Sequence, residues 1–392
     1  MIIYSSVLIE NPDSVRIQAS YETGLDKGTL WYDFPLEYKD YLVLENSDAF
    51  FVGLLLLAMK RGENLYIKNK VSEKLLYNVT TYLIPALILS SSEFKSIEII
   101  VDELNVENLN IYKATATGSS CGIDSTATII DHLDLKNSYS LNYLTYLNAG
   151  SHGTWNGKIT QNTYDNRLKK VREFSSELKL PLIEINTNIG EILGNDFQKA
   201  HSLRNLSCIL NLQKLIKTYY YASAYRFDFF KLDKNDTSSW DILITKFLST
   251  ESIDFISSMS QLNRIDRTKI VAEFKPAHRF LDVCTSPDLQ GKINCSRCDK
   301  CMRTQLTLDV LEKLDTFNMV FNIAEYSKLK KRFIGKVIAT RKKNHINLEL
   351  YDYLVLNNKL TLYHYFQSVK YKINLFKSNL FKEIKKYLKK SV

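Results

Sequence analysis

The sequence predicts an α/β protein whose centre is a doubly wound, mainly parallel β-sheet. Between residues 110 and 224, apolar runs of strand length alternate with longer amphipathic runs, which is the pattern of strand–helix–strand units. A loop of small and hydroxyl residues, 117–125, joins the first of these strands to the first helix, and ligands bind at such strand ends. The residues before 110 also alternate between strand and helix patterns, so we expect an extra N-terminal α/β or α+β unit.

The chain divides by sequence pattern into four regions. We expect the N-terminal unit over 1–108, the sheet domain that carries the loop over 109–275, and a region with four closely spaced cysteines over 276–324. The last region, 325–392, is basic and mostly helical by pattern.

In the N-terminal unit, Asn46-Ser47-Asp48 begins a strongly apolar helix, Ala49–Lys60, which Gly62 closes, and Ser72 caps a second helix. Strands are predicted at Val7–Ala19, Trp31–Tyr41, Leu65–Ile67 and Ser96–Val101. In the sheet domain, strands are predicted at Asn110–Ala116, Leu141–Leu147, Leu182–Ile185 and Tyr219–Ala224. Helices are predicted to begin at Thr126 and Asp266 and to span Tyr164–Leu178 and Ser202–Lys217.

Composition limits the class of protein. The 392 residues are 45% hydrophobic and 24% charged, which is typical of a globular chain. The longest apolar run, Ala49–Met59, is too short to span a bilayer, and Met1–Tyr4 lacks the basic start of a signal peptide. We therefore expect a cytoplasmic protein with no membrane partner.

The positive charge is concentrated in the last region. Residues 325–392 hold 17 Lys/Arg and 4 Asp/Glu, or +13, whereas the whole chain carries +9. This tail could contact nucleic acid, but helices with a solvated basic face are the favoured interpretation because the tail is also rich in leucine and phenylalanine. The sequence leaves a homodimer open.

The loop itself predicts an anion site. Backbone N–H groups of a small-residue loop and the positive end of a helix dipole converge where a strand passes into a helix. The plainer alternative is a serine-rich turn that only caps the helix. The loop residues are Ser120, Cys121, Gly122, Ile123, Asp124, Ser125 and Thr126.

Further polar residues lie where other predicted strands and helices begin or end. Asn148 and His152 follow the second strand, and Arg204 lies in the first turn of the 202–217 helix, where a cation suits a bound anion. Lys269 opens the helix at 266 and could reach a phosphate. Arg204 paired to a nearby carboxylate and Lys269 as a plain surface lysine are the alternatives.

Four cysteines between residues 284 and 301 predict a metal site. Cys284, Cys295, Cys298 and Cys301 supply four soft thiolates with tight spacing, which is typical of a closed structural Zn²⁺ site. An iron–sulfur cluster is the rival, since thiolates also bind it. Zinc is favoured because two-residue spacings match zinc knuckles.

Taken in order, these motifs resemble the PP-loop ATP pyrophosphatases. Ser120-Cys121-Gly122-Ile123-Asp124-Ser125-Thr126 is similar to the Ser-Gly-Gly-x-Asp-Ser-Thr loop of that superfamily, with Cys121 in place of the first glycine. The loop followed by the cysteine knuckle resembles the 7-cyano-7-deazaguanine synthases, whose Gly-Arg-Asn helix entry and lysine look like Leu203-Arg204-Asn205 and Lys269. Of their Tyr-Gly-Gln-Arg-His turn only His152 is kept.

The resemblance implies an adenine nucleotide α-hydrolase-like fold and a carbon–nitrogen ligase of the PP-loop type. Such an enzyme would bind ATP and Mg²⁺ and adenylate a carboxylate of a small molecule or a protein. It would release pyrophosphate and give an amide, a nitrile or a ligated product. Asp124, Arg204 and Lys269 would be the catalytic residues. Residues 120–126, Asn148 and His152 would bind the nucleotide, and the four cysteines would hold Zn²⁺.

Two other functions remain open from the sequence. A sulfurtransferase that thiolates RNA or a metabolite would carry a persulfide on Cys121 or Cys208, with the basic tail on RNA. The protein would be a non-catalytic nucleotide-binding module if Cys121 makes the loop unable to support catalysis, since a β-carbon there could crowd a phosphate.

Overall fold

The computed structural model describes residues 1–151, 158–194, 197–284 and 293–390, and the side chains of 158–160, 379 and 382–390 are outside the description. The chain forms two units. The first comprises Met1–Ser120 and Asp124–Leu262, and the second comprises Cys121–Ile123 and Asn263–Val392.

The first unit holds the β-sheet. Its strands are β1 (Ile2–Ile3), β2 (Val7–Glu10), β3 (Ser14–Glu22), β4 (Lys27–Pro35), β5 (Leu65–Ser72), β6 (Ile99–Asn105), β7 (Ala114–Gly118), β8 (Tyr143–Asn148), β9 (Leu182–Thr187), β10 (Ile216–Ala222) and β11 (Asp254–Ser258). Its α-helices are α1 (Asp48–Arg61), α2 (Glu73–Asn78), α3 (Ile84–Ser90), α4 (Ile123–Leu133), α5 (Lys158–Leu178), α6 (Ile189–Leu193), α7 (Phe197–Leu210) and α8 (Asp241–Leu248).

All eleven strands belong to one mixed sheet, with the order β11-β10-β7-β8-β9-β4-β3-β1-β5-β6 and β2 paired to β3. The strands β7 to β11 are parallel to one another. Numbered along the chain, these five strands have the spatial order 5-4-1-2-3, which is that of a doubly wound sheet. The predicted α/β class and the parallel centre are therefore confirmed.

The N-terminal strands continue this sheet on the side of β9. Strand β4 pairs antiparallel to β9 through Tyr32 with Thr187 and Asp33 with Asn186. The side chain of Asn188 extends the ladder, because its Oδ1 accepts from Trp31 N at 3.0 Å and its Nδ2 donates to Thr29 O at 2.8 Å. The sheet is thus continuous across residue 108.

Helix α1 is the centre of the N-terminal packing. Nearly all of its residues are buried, which is what an all-apolar helix in a globular protein requires. The predicted ends are confirmed at Gly62, whose φ of 72° closes the helix, and at Ser72, whose Oγ accepts from Leu75 N at 3.0 Å ahead of α2. Gly53 must be small, since a β-carbon would lie 2.6 Å from Tyr32 Oη.

Several predicted boundaries move. The strand predicted from Asn110 begins at Ala114, because Lys113 has a φ of 58° that extended backbone cannot contain. The helix predicted over 202–217 spans Phe197–Leu210, so Arg204 lies about two turns inside it and the prediction of a first-turn position is wrong. The strand predicted over Trp31–Tyr41 ends at Pro35, where a 3₁₀ turn, Leu36–Tyr41, begins.

The second unit is helical in its described part. It contains α9 (Arg264–Glu273), α10 (Ala277–Phe280), α11 (Asp299–Val310), α12 (Ile323–Thr340), α13 (His345–Leu356) and α14 (Leu362–Lys390). The helical character expected for 325–392 is seen in α12 to α14. Among the helices described, none is long and apolar enough to cross a bilayer.

Candidate functional site

The loop after β7 lies at the topological switch point of the parallel strands. In the sheet, β7 is flanked by β10 on one side and β8 on the other, so the connections leaving β7 and β10 lie at the point where the strand order reverses. In open α/β sheets the crevice at this point is the usual ligand site. Ser119 N donates to Thr145 O at 2.8 Å, which ties the start of the loop to β8.

Two loop hydroxyls are held together. Ser125 Oγ lies 3.0 Å from Ser120 Oγ and accepts from Ser120 N at 3.3 Å. Ser125 lies in the first turn of α4, so its hydroxyl bridges the loop and the positive end of the helix. This arrangement places two hydroxyls and the start of a helix within a few residues, as an anion site needs.

Ser119 adds a buried polar atom to this loop. The residue is 3% exposed, and its Oγ has no hydrogen-bond partner among the residues that the structure describes. A buried hydroxyl without a partner costs free energy unless a water or ligand satisfies it. Sequence reasoning did not single out Ser119, because a serine in a serine-rich loop gives no distinguishing signal.

Cys121 has a backbone conformation that glycine adopts most readily. Its φ is 55°, in the left-handed region that glycine adopts without strain. Its carbonyl accepts from Asp282 N at 2.8 Å, within the second unit, and its side chain is buried. The loop therefore holds a left-handed conformation at a residue that has a β-carbon.

The remaining predicted loop residues differ in exposure. Gly122 and Asp124 are half-buried at the end of the loop and in the first turn of α4. Ile123 and Thr126 are buried, so their side chains belong to the packing around the helix.

Arg204 lies beside the ends of β8 and β9. It is 1% exposed, and its Nη2 donates to Gly194 O at 2.7 Å. A β-carbon on Gly150 would lie 2.6 Å from Arg204 Nη1. The φ of Gly150 is 102°, which also favours glycine, so both the close contact and the backbone conformation require this residue. The guanidinium also lies 5.8 Å from the centroid of the Phe197 ring.

Asn148 ends β8 and is buried. Its Nδ2 donates to Asn186 Oδ1 at 3.3 Å, which links the carboxyl ends of β8 and β9. The structure thus brings the loop, Asn148 and Arg204 to ends of the parallel strands of one unit. His152 lies outside the described residues.

Lys269 has a different environment. It lies on α9 in the second unit, where its Nζ pairs with Asp266 Oδ1 at 2.8 Å and lies 5.3 Å from the centroid of the Tyr353 ring. Both partners are in its own unit.

A buried carboxyl that sequence reasoning missed, that of Asp241, lies beside the end of β10. Asp241 accepts hydrogen bonds from Ser223 Oγ at 3.1 and 3.2 Å and from Ser257 Oγ at 3.0 Å. Burial raises the pKa of the Asp241 carboxyl to about 6, and the hydroxyl hydrogen bonds oppose the rise. A titratable carboxyl at the switch-point end of the sheet is a typical feature of functional sites.

His201 and its neighbours form a second polar group in the first unit. His201 Nδ1 lies 2.7 Å from Tyr221 Oη, and its Nε2 lies 3.3 Å from Asp236 Oδ1. Burial raises the pKa of Asp236, but hydrogen bonds from His201 and Ser238 outweigh it and leave the pKa lowered. These contacts fix the position of His201 in α7, one turn before Arg204.

The four cysteines of the second unit come together as the spacing predicts. The four sulfur atoms lie within 4.8 Å of one another. The distance from Cys284 Sγ to Cys298 Sγ is 4.0 Å and that from Cys295 Sγ to Cys301 Sγ is 3.9 Å. A disulfide bond is about 2.05 Å long, so these pairs are not disulfides. A tetrahedral ion with metal–sulfur bonds of about 2.3 Å requires sulfur atoms about 3.8 Å apart, so the residues fit such an ion.

Backbone amides and a helix surround this cluster. Cys298 N donates to Cys295 Sγ at 3.3 Å, and Cys295 N donates to Cys284 Sγ at 3.5 Å. Cys298 precedes α11 and Cys301 lies in its first turn, where the helix dipole favours thiolates. Hydrogen bonds from the thiols of Cys284 and Cys301 hold the pKa of Cys298 far below its usual range.

Hydrogen bonds to Cys284 and Cys298 raise the pKa of the Cys301 thiol. Four thiols this close cannot all ionise unless a cation offsets their charge. The donor set, the distances and the amide hydrogen bonds therefore describe a site that can hold a metal ion.

Comparison with known proteins yields no relative. No family model, no curated protein and no solved structure matches the chain.

Proposed function

We propose that the protein is an ATP-dependent, AMP- and pyrophosphate-forming enzyme that adenylates a carboxylate. The observation that carries this proposal is the position of loop 119–125, at the switch point of five parallel strands and at the start of α4. The buried Ser119 Oγ and the Ser120–Ser125 hydroxyl pair support an oxygen-rich anion as the ligand. The order of motifs along the chain, which resembles PP-loop enzymes, supports a pyrophosphate.

Residues of the first unit have separate roles in this reaction. Ser119, Ser120 and Ser125 would donate hydrogen bonds to the β- and γ-phosphates, and Asp124 would supply a carboxylate to hold Mg²⁺, which offsets phosphate charge when bound. Arg204 offsets negative charge on the bridging oxygen as the bond between the α-phosphorus and that oxygen breaks. Lys269 receives no role here, since its Nζ pairs with Asp266.

The chemistry has two steps. A carboxylate oxygen of the substrate attacks the α-phosphorus, the bond to the bridging oxygen breaks, and pyrophosphate leaves into the loop. An amine nitrogen then attacks the acyl carbon, loses a proton and displaces AMP, which gives an amide. The first step creates negative charge near the helix start, so preorganised donors there would supply most of the rate enhancement.

A sulfurtransferase is disfavoured by the placement of the two candidate cysteines. Cys208 is 0% exposed on α7, its thiol donates to Arg204 O at 3.3 Å, and burial raises its pKa. Cys121 is also buried. Persulfide carriers need an accessible thiolate, and neither residue offers one.

For the metal site we propose Zn²⁺ in a structural role. Cys284, Cys295, Cys298 and Cys301 supply all four ligands, which leaves no open position for a substrate. When bound, Zn²⁺ would cross-link the segment around residue 284 to the start of α11.

Nucleotide binding tests the loop assignment. Titration with Mg²⁺ and α,β-methylene ATP, which cannot lose pyrophosphate, should show saturable binding to the wild-type protein. Ser125→Ala should weaken it at least about tenfold, since a hydrogen bond to a charged group contributes about 1.5–3 kcal/mol. Ser140→Ala, whose hydroxyl donates to Leu133 O at the other end of α4, is the matched control. Equal affinity of the two variants would contradict the assignment.

A further inference from the structure

Among the side chains described for α14, those of one side pack against α12. Gly335 of α12 lets the two helices touch, since a β-carbon there would lie 2.6 Å from Gln367 Cβ and 2.8 Å from Gln367 C. Farther toward the start of both helices, Lys331 Nζ lies 5.4 Å from the centroid of the Tyr363 ring. His364 and Ser368 are buried on the packed side. Lys331 therefore lies beside residue 363 and Gly335 beside 367, so the two helices run parallel.

The other side of α14 is apolar and exposed. The large side chains of this stripe are between 47% exposed, for Leu380, and 90% exposed, for Leu362. We call this stripe the α14 seam. The seam consists of Leu362, Phe366, Val369, Ile373, Phe376 and Leu380.

The spacing of the α14 seam is that of a coiled coil. Successive members are separated by 4, 3, 4, 3 and 4 residues, which matches alternating d and a positions of a heptad repeat. Over the 18 residues from Leu362 to Leu380 the stripe is about 27 Å long at 1.5 Å per residue. A narrow stripe with this period indicates a second helix as the occupant, because coiled-coil packing needs a seam that recurs every 3.5 residues.

Lysines border the α14 seam. Lys370 and Lys377 occupy e positions, Lys372 occupies a g position, and all three are exposed. Residues at e and g pair with charges of the facing helix and set partner choice. Two copies of this helix would bring lysine against lysine, since α14 carries eight Lys and one Glu.

We infer that the α14 seam binds an amphipathic helix of a partner protein whose own seam is bordered by glutamate or aspartate, so that the two helices form a two-stranded coiled coil. The apolar stripe supplies the buried contact, and the lysines favour an acidic partner over a second copy. An exposed apolar stripe of this extent on a folded protein marks an interaction site. This inference stands independently of the chemistry proposed for the first unit.

Two synthetic helices test the inference on the full-length protein. Both peptides carry four heptads with Ile at a and Leu at d, and they differ only at e and g, where one has Glu and the other Lys. Fluorescence anisotropy should show saturable binding of the Glu peptide. The Lys peptide should bind at least about tenfold more weakly, and raised salt should shrink the difference.

Variants of exposed residues connect binding to the α14 seam without disturbing the fold. Phe376→Ser should weaken the Glu peptide about tenfold or more, since aromatic anchors carry much of the energy of such contacts. Tyr77→Ser is the matched control, because it removes an exposed aromatic ring from α2. Circular dichroism should show equal helix content in both variants.

Four results would overturn the inference. Equal affinity for the two peptides would show that charge does not select the partner, and an unchanged affinity in Phe376→Ser would place the contact elsewhere. Dimerisation through α14 at micromolar concentration, detected by sedimentation and abolished by Phe376→Ser, would make a second copy the occupant. Stronger binding to vesicles of phosphatidylserine and phosphatidylcholine than to the Glu peptide would make an anionic bilayer the occupant.

Discussion

The buried carboxyl of Asp48 should make the first unit less stable as the pH rises. Asp48 is 0% exposed at the start of α1, where it accepts from Ser72 N at 2.8 Å and from Gln213 Nε2 at 3.0 Å. Burial raises its pKa from 3.8 to about 7 despite these hydrogen bonds, and the nearby charge of Glu251 adds to the rise. Glu251 itself accepts from Ser72 Oγ at 2.5 Å.

The linkage between proton binding and folding gives the sign and the size of the change in the free energy of unfolding with pH. The folded pKa lies above the unfolded one, so the protonated carboxyl stabilises the fold fully below pH 3.8, and this contribution is lost as the pH rises through about 7. At about 1.4 kcal/mol per pKa unit the whole contribution is about 4 kcal/mol, of which about 3 kcal/mol is lost between pH 5 and pH 8. Asp48→Asn has no titratable group at this position and should remove this loss, while its amide nitrogen, which cannot accept, gives up one of the two hydrogen bonds at both pH values.

Urea unfolding of wild type and Asp48→Asn at pH 5 and pH 8 measures the difference. Tryptophan fluorescence is suitable because Trp31 and Trp240 both lie in the first unit. Asp241, whose pKa is about 6, titrates in both proteins and cancels in the comparison. Asp102→Asn, an exposed carboxyl paired with Lys68, should behave as wild type. Equal pH dependence of Asp48→Asn and wild type would refute the assigned pKa.

Two further predictions concern cysteines. Cys298→Ser should reduce bound zinc from about one ion per chain to near zero and should lower the melting temperature. Cys208→Ala, the control, should keep the metal. Metal analysis that finds iron and sulfide, or no metal in well-folded wild-type protein, would contradict this prediction. At Cys121, the Gly variant should be more stable than the Ala variant by about 1 kcal/mol in urea unfolding, because both lose the thiol and only glycine relieves the left-handed φ of 55°. An Ala variant as stable as the Gly variant would refute that reasoning.

Local signals in the sequence predicted much of this fold. Gly62 and Ser72 end and begin helices as their residue types demand, and four cysteines with short spacing meet within 4.8 Å. These features depend on neighbours a few residues away, so propensity and spacing suffice. The class of fold followed from alternating strand and helix patterns for the same reason.

Long-range pairings were beyond the sequence. The two-residue ladder between β4 and β9 joins the N-terminal strands to the parallel sheet, and the side chain of Asn188, rather than a recognisable strand pattern, extends it. The approach of Arg204 to Gly150 and the hydrogen bonds of Asp241 to Ser223 and Ser257 likewise join residues far apart in the chain. Such contacts depend on tertiary packing, and the local pattern of one sequence does not predict which distant residues meet.

The identity of the products formed from ATP tests the central proposal most directly. Wild-type protein would be incubated with ATP, Mg²⁺, ammonium and a panel of carboxylates that includes a carboxylated 7-deazaguanine, and the products followed by ³¹P NMR. We expect AMP and pyrophosphate with at least one carboxylate, a rate lower by about 10²–10³ in Asp124→Ala, and an unchanged rate in Asp134→Ala, which alters an exposed carboxylate just beyond α4. ADP and phosphate as products, or full AMP formation by Asp124→Ala, would contradict the proposal.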